Sequence, residues 1–127
     1  MVIEGVSIKL FEELAQNSYD GNYVDMHNEY VCENCIFTNS SLSLLFKKIQ
    51  SEDLFCLKFS DVEITCFDFS VDDDQEELTA DTFYRGRTEI DGKLIDFNAD
   101  GKAYFYLQFV GGQQIEFWAK DMQALFI

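Results

Sequence analysis

The stretch from Lys102 to Lys120 constrains the fold more than any other part of the chain. Apolar and polar residues alternate on both sides of Gly111-Gly112, as Ala-Tyr-Phe-Tyr-Leu-Gln-Phe before it and Gln-Ile-Glu-Phe-Trp-Ala after it. A period of two marks strands that bury one face, and a glycine pair between two such runs predicts a β-hairpin. A three-residue loop, Gly111 to Gln113, sets Phe109 against Ile115, Leu107 against Phe117 and Phe105 against Ala119 on one dry face. Tyr104, Tyr106, Gln108, Glu116, Trp118 and Lys120 then share the other face, with Tyr106 opposite Trp118. A two-residue loop would oppose Leu107 to Glu116 and bury charge beside apolar rings, so the pattern favours the longer loop.

Further strands follow from the same alternation. Leu54 to Val71 reads as a second hairpin turning at Ser60-Asp61, with Phe59 against Val62, Leu57 against Ile64 and Phe55 against Cys66 inside, and Lys58 against Glu63 outside. This places Cys66 inside and Cys56 outside. The alternation slips between Cys66 and Phe67, which predicts a β-bulge. Asp91-Gly92 marks a hairpin between 83–88 and 93–97, Tyr30 to Phe37 suggests a short strand, and 121–127 a closing strand or docking segment. Residues 40–49 fit a capped helix and an alternating strand equally. Near the start, Val6, Leu10 and Leu14 recur every fourth residue, flanked by Ile8, Phe11 and Ala15, and predict an amphipathic helix over 6–17 ended by Asn17 or Asp20-Gly21. The expected fold is α+β, mostly β: an antiparallel sheet forming a sandwich or open barrel, with the N-terminal helix packed on it, in a single domain of residues 1–127. An apolar recurrence of period five, from Leu44 to Phe69, is not a β-helix repeat, because residues two positions earlier, such as Lys47 and Glu52, are too large for its corners.

Composition bears on partners. Twenty-four acidic against nine basic side chains give a formal charge of −15. A field of that sign repels phosphate backbones and anionic lipid and speeds encounter with basic surfaces, so direct nucleic-acid and membrane binding are not expected, and the charge serves either solubility alone or a basic protein partner. The acids concentrate between Phe59 and Tyr84, where Asp61, Glu63, Asp72, Asp73, Asp74, Glu76 and Glu77 lie in a sector without Lys or Arg. The N-terminal residues show no secretory signal and no segment has the length of a membrane span, which predicts a cytoplasmic protein with reduced thiols at Cys32, Cys35, Cys56 and Cys66.

Candidate chemistry is thin. Asp96-Phe-Asn98-Ala-Asp100-Gly101 matches half of a calcium loop, but Leu107 stands where the bidentate Glu belongs, and Asx-rich hairpin turns use the same letters. His27, Cys32 and Cys35 could contribute to a zinc site, yet a second close-spaced pair is lacking. A redox pair at Cys32-Glu-Asn-Cys35 lacks the helix that would lower a thiol pKa. The single His limits acid-base and triad chemistry, and no nucleophile turn or phosphate loop occurs. No cofactor or metal is therefore expected. The aromatic face with Tyr104, Tyr106 and Trp118 is the strongest binding feature, since Tyr and Trp bury large areas while keeping a polar tip. It competes with a plain packing role under the predicted helix stripe.

Small size, heavy negative charge, the predicted leading helix and the ending Phe-Val-Gly-Gly-Gln-Gln-Ile-Glu-Phe-Trp-Ala resemble the small acidic immunity proteins of bacterial polymorphic toxin and contact-dependent growth inhibition systems. The resemblance implies a non-catalytic cytosolic protein that binds and blocks a cognate toxin, often a basic nuclease, by complementary charge. Two other readings stay open at this point: a nucleic-acid mimic that inhibits a DNA- or RNA-binding enzyme, and a small metal- or ligand-binding enzyme using His27.

Overall fold

A computed structural model describes residues 2–69 and 78–127. In chain order the elements are β1 (Val2–Glu4), one turn of 3-10 helix (Gly5–Ser7), β2 (Gln16–Tyr19), β3 (Asn22–Asp25), β4 (Tyr30–Thr38), β5 (Ser41–Lys48), β6 (Leu54–Ser60), β7 (Glu63–Asp68), β8 (Ala80–Gly86), β9 (Thr88–Ile90), β10 (Lys93–Ile95), β11 (Ala103–Phe109), β12 (Gln114–Ala119) and β13 (Asp121–Phe126). They build a five-stranded sheet of order β1-β13-β6-β5-β4, a four-stranded sheet of order β7-β12-β11-β8, and two ribbons, β2-β3 and β9-β10. The two larger sheets are open and face each other across one core. Phe59 of β6 packs against Phe83 of β8, Phe105 of β11 and Phe117 of β12 at ring-centroid distances of 6.1, 5.1 and 4.9 Å. Toward one side of the core, Phe55 meets Tyr19, Tyr30, Phe46 and Phe126.

The β11–β12 hairpin keeps the expected faces but shifts its register by two residues. Leu107 lies opposite Ile115, Phe105 opposite Phe117 and Ala103 opposite Ala119, so Trp118 faces Tyr104 and Tyr106 faces Glu116. The loop is Val110 to Gly112, one residue earlier than expected. It is closed by hydrogen bonds from Gly112 N–H to the Phe109 carbonyl (2.9 Å) and from Phe109 N–H to the Gln113 carbonyl (2.8 Å). Such a loop needs positive φ at its last position, where Gly112 sits at φ 94° and where the expected loop would have placed Gln113. Both registers bury the same residues, so alternation alone could not separate them.

The expected β6–β7 hairpin does not form. β6 pairs with β5 and β13, whereas β7 pairs with β12 in the other sheet, so Ser60-Asp61 is a corner between layers. Lys58 therefore lies opposite Ser43 and Gln123, not Glu63. A corner and a hairpin turn both deliver Phe59 and Val62 to the same core, which is why the pattern suggests either. The bulge is real, but its extra residue is Thr65: Ile64 pairs with Phe117 and Cys66 with Glu116. Cys66 consequently shares the outer face with Glu116, against the expected inward position.

The predicted N-terminal helix is absent. Beyond the single 3-10 turn, residues 11–14 run along the free edge of β8, where Phe11 N–H bonds the Arg85 carbonyl and Leu14 N–H the Phe83 carbonyl at 2.6 Å. Phe11 has φ 62°, outside any helix. Val6 is exposed, Leu10 half-buried and Leu14 buried, so the fourfold recurrence describes no common face. Covering an otherwise unpaired edge satisfies the backbone of both segments and outweighs the helical periodicity. Asp20-Gly21 is the turn of the β2-β3 ribbon, and the ambiguous segment 40–49 resolves mainly into strand β5 with Leu42, Leu44 and Phe46 buried.

Replacing Phe59 with Ala should lower unfolding free energy in urea by about 3–5 kcal/mol, because the cavity would lie between two sheets that cannot close independently. Gly112→Ala should cost roughly 1 kcal/mol through its strained φ.

Candidate binding face

The outer face of the four-stranded sheet carries a continuous row of rings. Phe11 lies 5.9 Å from Tyr84, which stacks on Tyr106 at 5.2 Å and 19°. Tyr106 meets Tyr104 edge to face at 5.1 Å, and Tyr104 meets Trp118 at 4.9 Å. Alternation on β11 and β12 puts three of these rings outward, and the pairing of β8 with β11 adds Tyr84 directly opposite Tyr106. Among the described residues no helix lies over the row. Tyr104 and Trp118 are nevertheless buried, at 5% exposure each, while Tyr106 is half-buried. The first two are shielded by their neighbours, by Thr65 at the bulge, and by the Lys102–Glu63 ion pair (2.7 Å), which reaches from the residue before β11 to β7 across the strand that holds Trp118.

Glu116 anchors the polar side of this face. Its carboxylate accepts from Gln114 Nε2 at 2.7 Å and from the Tyr104 hydroxyl at 3.2 Å, and Thr65 Oγ1 lies 2.7 Å from the same hydroxyl. Burial, opposed by the Thr65 hydrogen bond and reinforced by the Glu116 charge, raises the Tyr104 pKa. Burial first, then the Glu116 charge, raises that of Tyr106 from 10.0 to about 12. An open groove of about 240 Å³ runs between the Tyr84–Tyr106 stack and Glu116, with Thr82, Gln108 and Gln114 on its walls. A flat apolar wall facing a carboxylate suits a cationic, planar or partly apolar group, and several amide and hydroxyl groups can orient it.

The acidic candidates divide. Glu63 is tied to Lys102, and Asp61 sits exposed at the corner beside the Trp118 end of the sheet, away from the groove. Asp72, Asp73, Asp74, Glu76 and Glu77 lie outside the described residues. The chain enters that acidic run after Asp68, which pairs with Gln114 on the groove, and re-enters β8 at Ala80, two residues before the groove residue Thr82. Among the sequence candidates, Tyr104 and Trp118 continue the row of rings beside the groove, and Tyr106 alone lines it. Tyr84 and Glu116, outside the sequence candidates, line the groove with it. Glu116 was on the predicted outer face, but Tyr84 becomes a neighbour of Tyr106 only through the β8–β11 pairing, which crosses a long connection.

The other candidate centres take separate places. His27 Nδ1 lies 2.8 Å from the Ala80 carbonyl, to which it donates as the Nδ1-protonated tautomer. Among the described residues no three His, Cys, Asp or Glu side chains converge as a metal site. Cys32 and Cys35 touch each other, whereas Cys56 and Cys66 belong to different sheets, not to two faces of one hairpin. Within the half-calcium segment, Asn98 Oδ1 accepts from the N–H groups of Asp100 and Lys102 at 3.0 and 2.9 Å and so serves a turn. A second hollow of about 350 Å³ is lined by Val6, Phe97, Gly101, Arg85 and Asp96. Arg85 is buried there, its guanidinium donating to the Asp96 carbonyl at 2.7 Å, and desolvation lowers its pKa against the opposing pull of Asp96. No helix among the described residues is long and apolar enough to cross a membrane.

Compared with protein-family models, curated proteins and solved structures, the chain matches none.

Gly86 lies under the ring stack, and a Cβ there would stand 3.1 Å from Tyr84 and 3.2 Å from Tyr106. Gly86→Ala should therefore change the near-ultraviolet circular dichroism while leaving the far-ultraviolet spectrum intact. Because Tyr104 and Tyr106 are held neutral by the fold, their stabilising contribution is complete below pH 10.0 and is lost as pH rises beyond it, for Tyr106 through about 12. Burial also raises the Tyr19 pKa, so tyrosinate absorbance should show three late-ionising tyrosines, Tyr19, Tyr104 and Tyr106, and Tyr104→Phe should remove one of them.

Proposed function

We propose that this is a non-catalytic acidic binding protein of the immunity or antitoxin type, which neutralises a basic protein partner in the cytoplasm. The observation that carries the reading is the groove on the outer sheet face, where a stacked pair of tyrosines faces the Glu116 carboxylate on a chain of charge −15. Charge of that sign steers a basic surface toward the protein, and the groove offers an aromatic and anionic seat for one of its Lys or Arg side chains. Asp72, Asp73, Asp74, Glu76 and Glu77 extend the acidic field in the connection between the two strands that flank the groove end. Trp118 and Tyr104 buttress Tyr106 from the side, consistent with binding centres in which a few well-packed aromatic residues supply most of the affinity.

The test begins with the gene neighbourhood. A basic protein encoded beside this one should be toxic when expressed alone and harmless when co-expressed, and the two should co-purify. Tyr106→Ala and Glu116→Gln should each weaken that complex about tenfold or more by raising the dissociation rate. Neutralising the five acids of the 72–77 run together should slow association in low salt with little change in stability. A neighbouring product without toxicity and without affinity for this protein would remove the reading, and unchanged affinity in both groove variants would move the site off this face.

A further inference from the structure

We propose that Cys32 and Cys35 form a dithiol site that closes to an intramolecular disulfide by exchange with a low-molecular-weight disulfide of the glutathione type. Residues three apart on a regular strand point to opposite faces. Here the β4–β5 pairing passes from Cys32 opposite Phe46 directly to Asn34 opposite Leu45, so Glu33 is an extra residue and β4 bulges. The bulge returns Cys35 to the face of Cys32. Their sulfurs stand 3.7 Å apart, in contact, and a disulfide would bring them to about 2.0 Å.

The two thiols are unlike. Cys32 is buried at 6% exposure, and Cys35 is half-buried at the edge strand of its sheet. The hydrogen bond between them holds the Cys35 pKa below the ordinary thiol value against the effect of burial, and raises that of Cys32, which burial raises further. Cys35 is thus the accessible nucleophile and Cys32 the resolving thiol. The Cys35 thiolate attacks one sulfur of glutathione disulfide, whose S–S bond breaks and releases a glutathione thiolate. Cys32 then loses its proton to that thiolate or to water, and its sulfur attacks Cys35 in the mixed disulfide. This forms the protein disulfide and releases the second glutathione. Two protein thiols are oxidised and one glutathione disulfide is reduced to two thiols. Cys32 N–H also bonds the Leu78 carbonyl at 2.7 Å, so the site sits where the chain returns from the acidic run.

The reduced protein would be equilibrated with mixtures of reduced and oxidised glutathione, quenched in acid, alkylated, digested and mapped by mass spectrometry. The expected product has lost about 2 Da and carries a Cys32–Cys35 disulfide, with Cys56 and Cys66 alkylated as internal references. Closure should occur at an oxidised-to-reduced ratio about tenfold lower in the folded protein than in the urea-unfolded chain, because the bulge pre-sets the sulfurs. Cys32→Ser should stop at a glutathione adduct on Cys35, and Cys35→Ser should leave Cys32 unmodified. Alkylation of all four thiols across the series, prior oxidation of Cys56 or Cys66, or equal closure in urea would each overturn the proposal. The wild-type map alone decides it if either variant fails to fold.

Discussion

Phe59 reaches from the middle of the five-stranded sheet into the centre of the four-stranded one, and its ring lies against Phe83, Phe105 and Phe117 on three different strands. Phe105 and Phe117 stack on each other at 5.4 Å beneath it. The contact requires β6 and β12 to be followed by abrupt changes of layer, at Ser60-Asp61 and at Lys120, and the hydrogen bond from Lys120 N–H to the Ser60 carbonyl at 3.0 Å joins the two crossings. Gly5 closes the same corner: its N–H bonds the Lys120 carbonyl at 2.7 Å, and a Cβ on it would stand 3.0 Å from the Ala119 carbonyl oxygen. Interdigitated rings between sheets are dense and rigid, so the outer face built on β11 and β12 inherits a fixed frame.

That frame explains how an aromatic face survives without the predicted N-terminal helix over it. Large rings exposed on a sheet would ordinarily invite aggregation. Here they turn edge to face upon one another, hydroxyls find Thr65 and Glu116, and an ion pair spans the strand of Trp118. What stays open is one groove bordered by a carboxylate, in a molecule whose overall charge discourages self-association and anionic ligands alike. A face of this kind is pre-organised, so a partner would lose little in ordering it.

Bulges play a comparable role at both site candidates. Thr65 interrupts β7 so that its hydroxyl reaches Tyr104, and Glu33 interrupts β4 so that two cysteines share a face. The first was visible as a slip in alternation, though one strand position from where the slip appeared. The second left no trace, because Tyr30 to Phe37 lacks a clear two-residue period on either side of Glu33. The N-terminal segment shows the opposite failure. A strong fourfold recurrence of apolar residues coincided with an extended chain, since an unpaired strand edge at β8 offered its backbone better partners than a helix would.

The amino-acid sequence by itself determined that the chain is β-rich, which residues of β6, β11 and β12 point into the core between the sheets, that the chain turns at Asp91-Gly92 and near Gly111-Gly112, and that the whole is strongly acidic. These are local properties: alternation reports the face on which a side chain lies, and turn residues report the φ values that their neighbours require. Only the tertiary structure decided which strands are neighbours, that Ser60-Asp61 changes layer, that Tyr84 stacks on Tyr106, and that Cys32 touches Cys35. Each of these depends on pairing between segments distant in the chain or on an extra residue in a strand. A dry face accepts several partners equally well, and the choice among them is settled by how all the faces pack together at once.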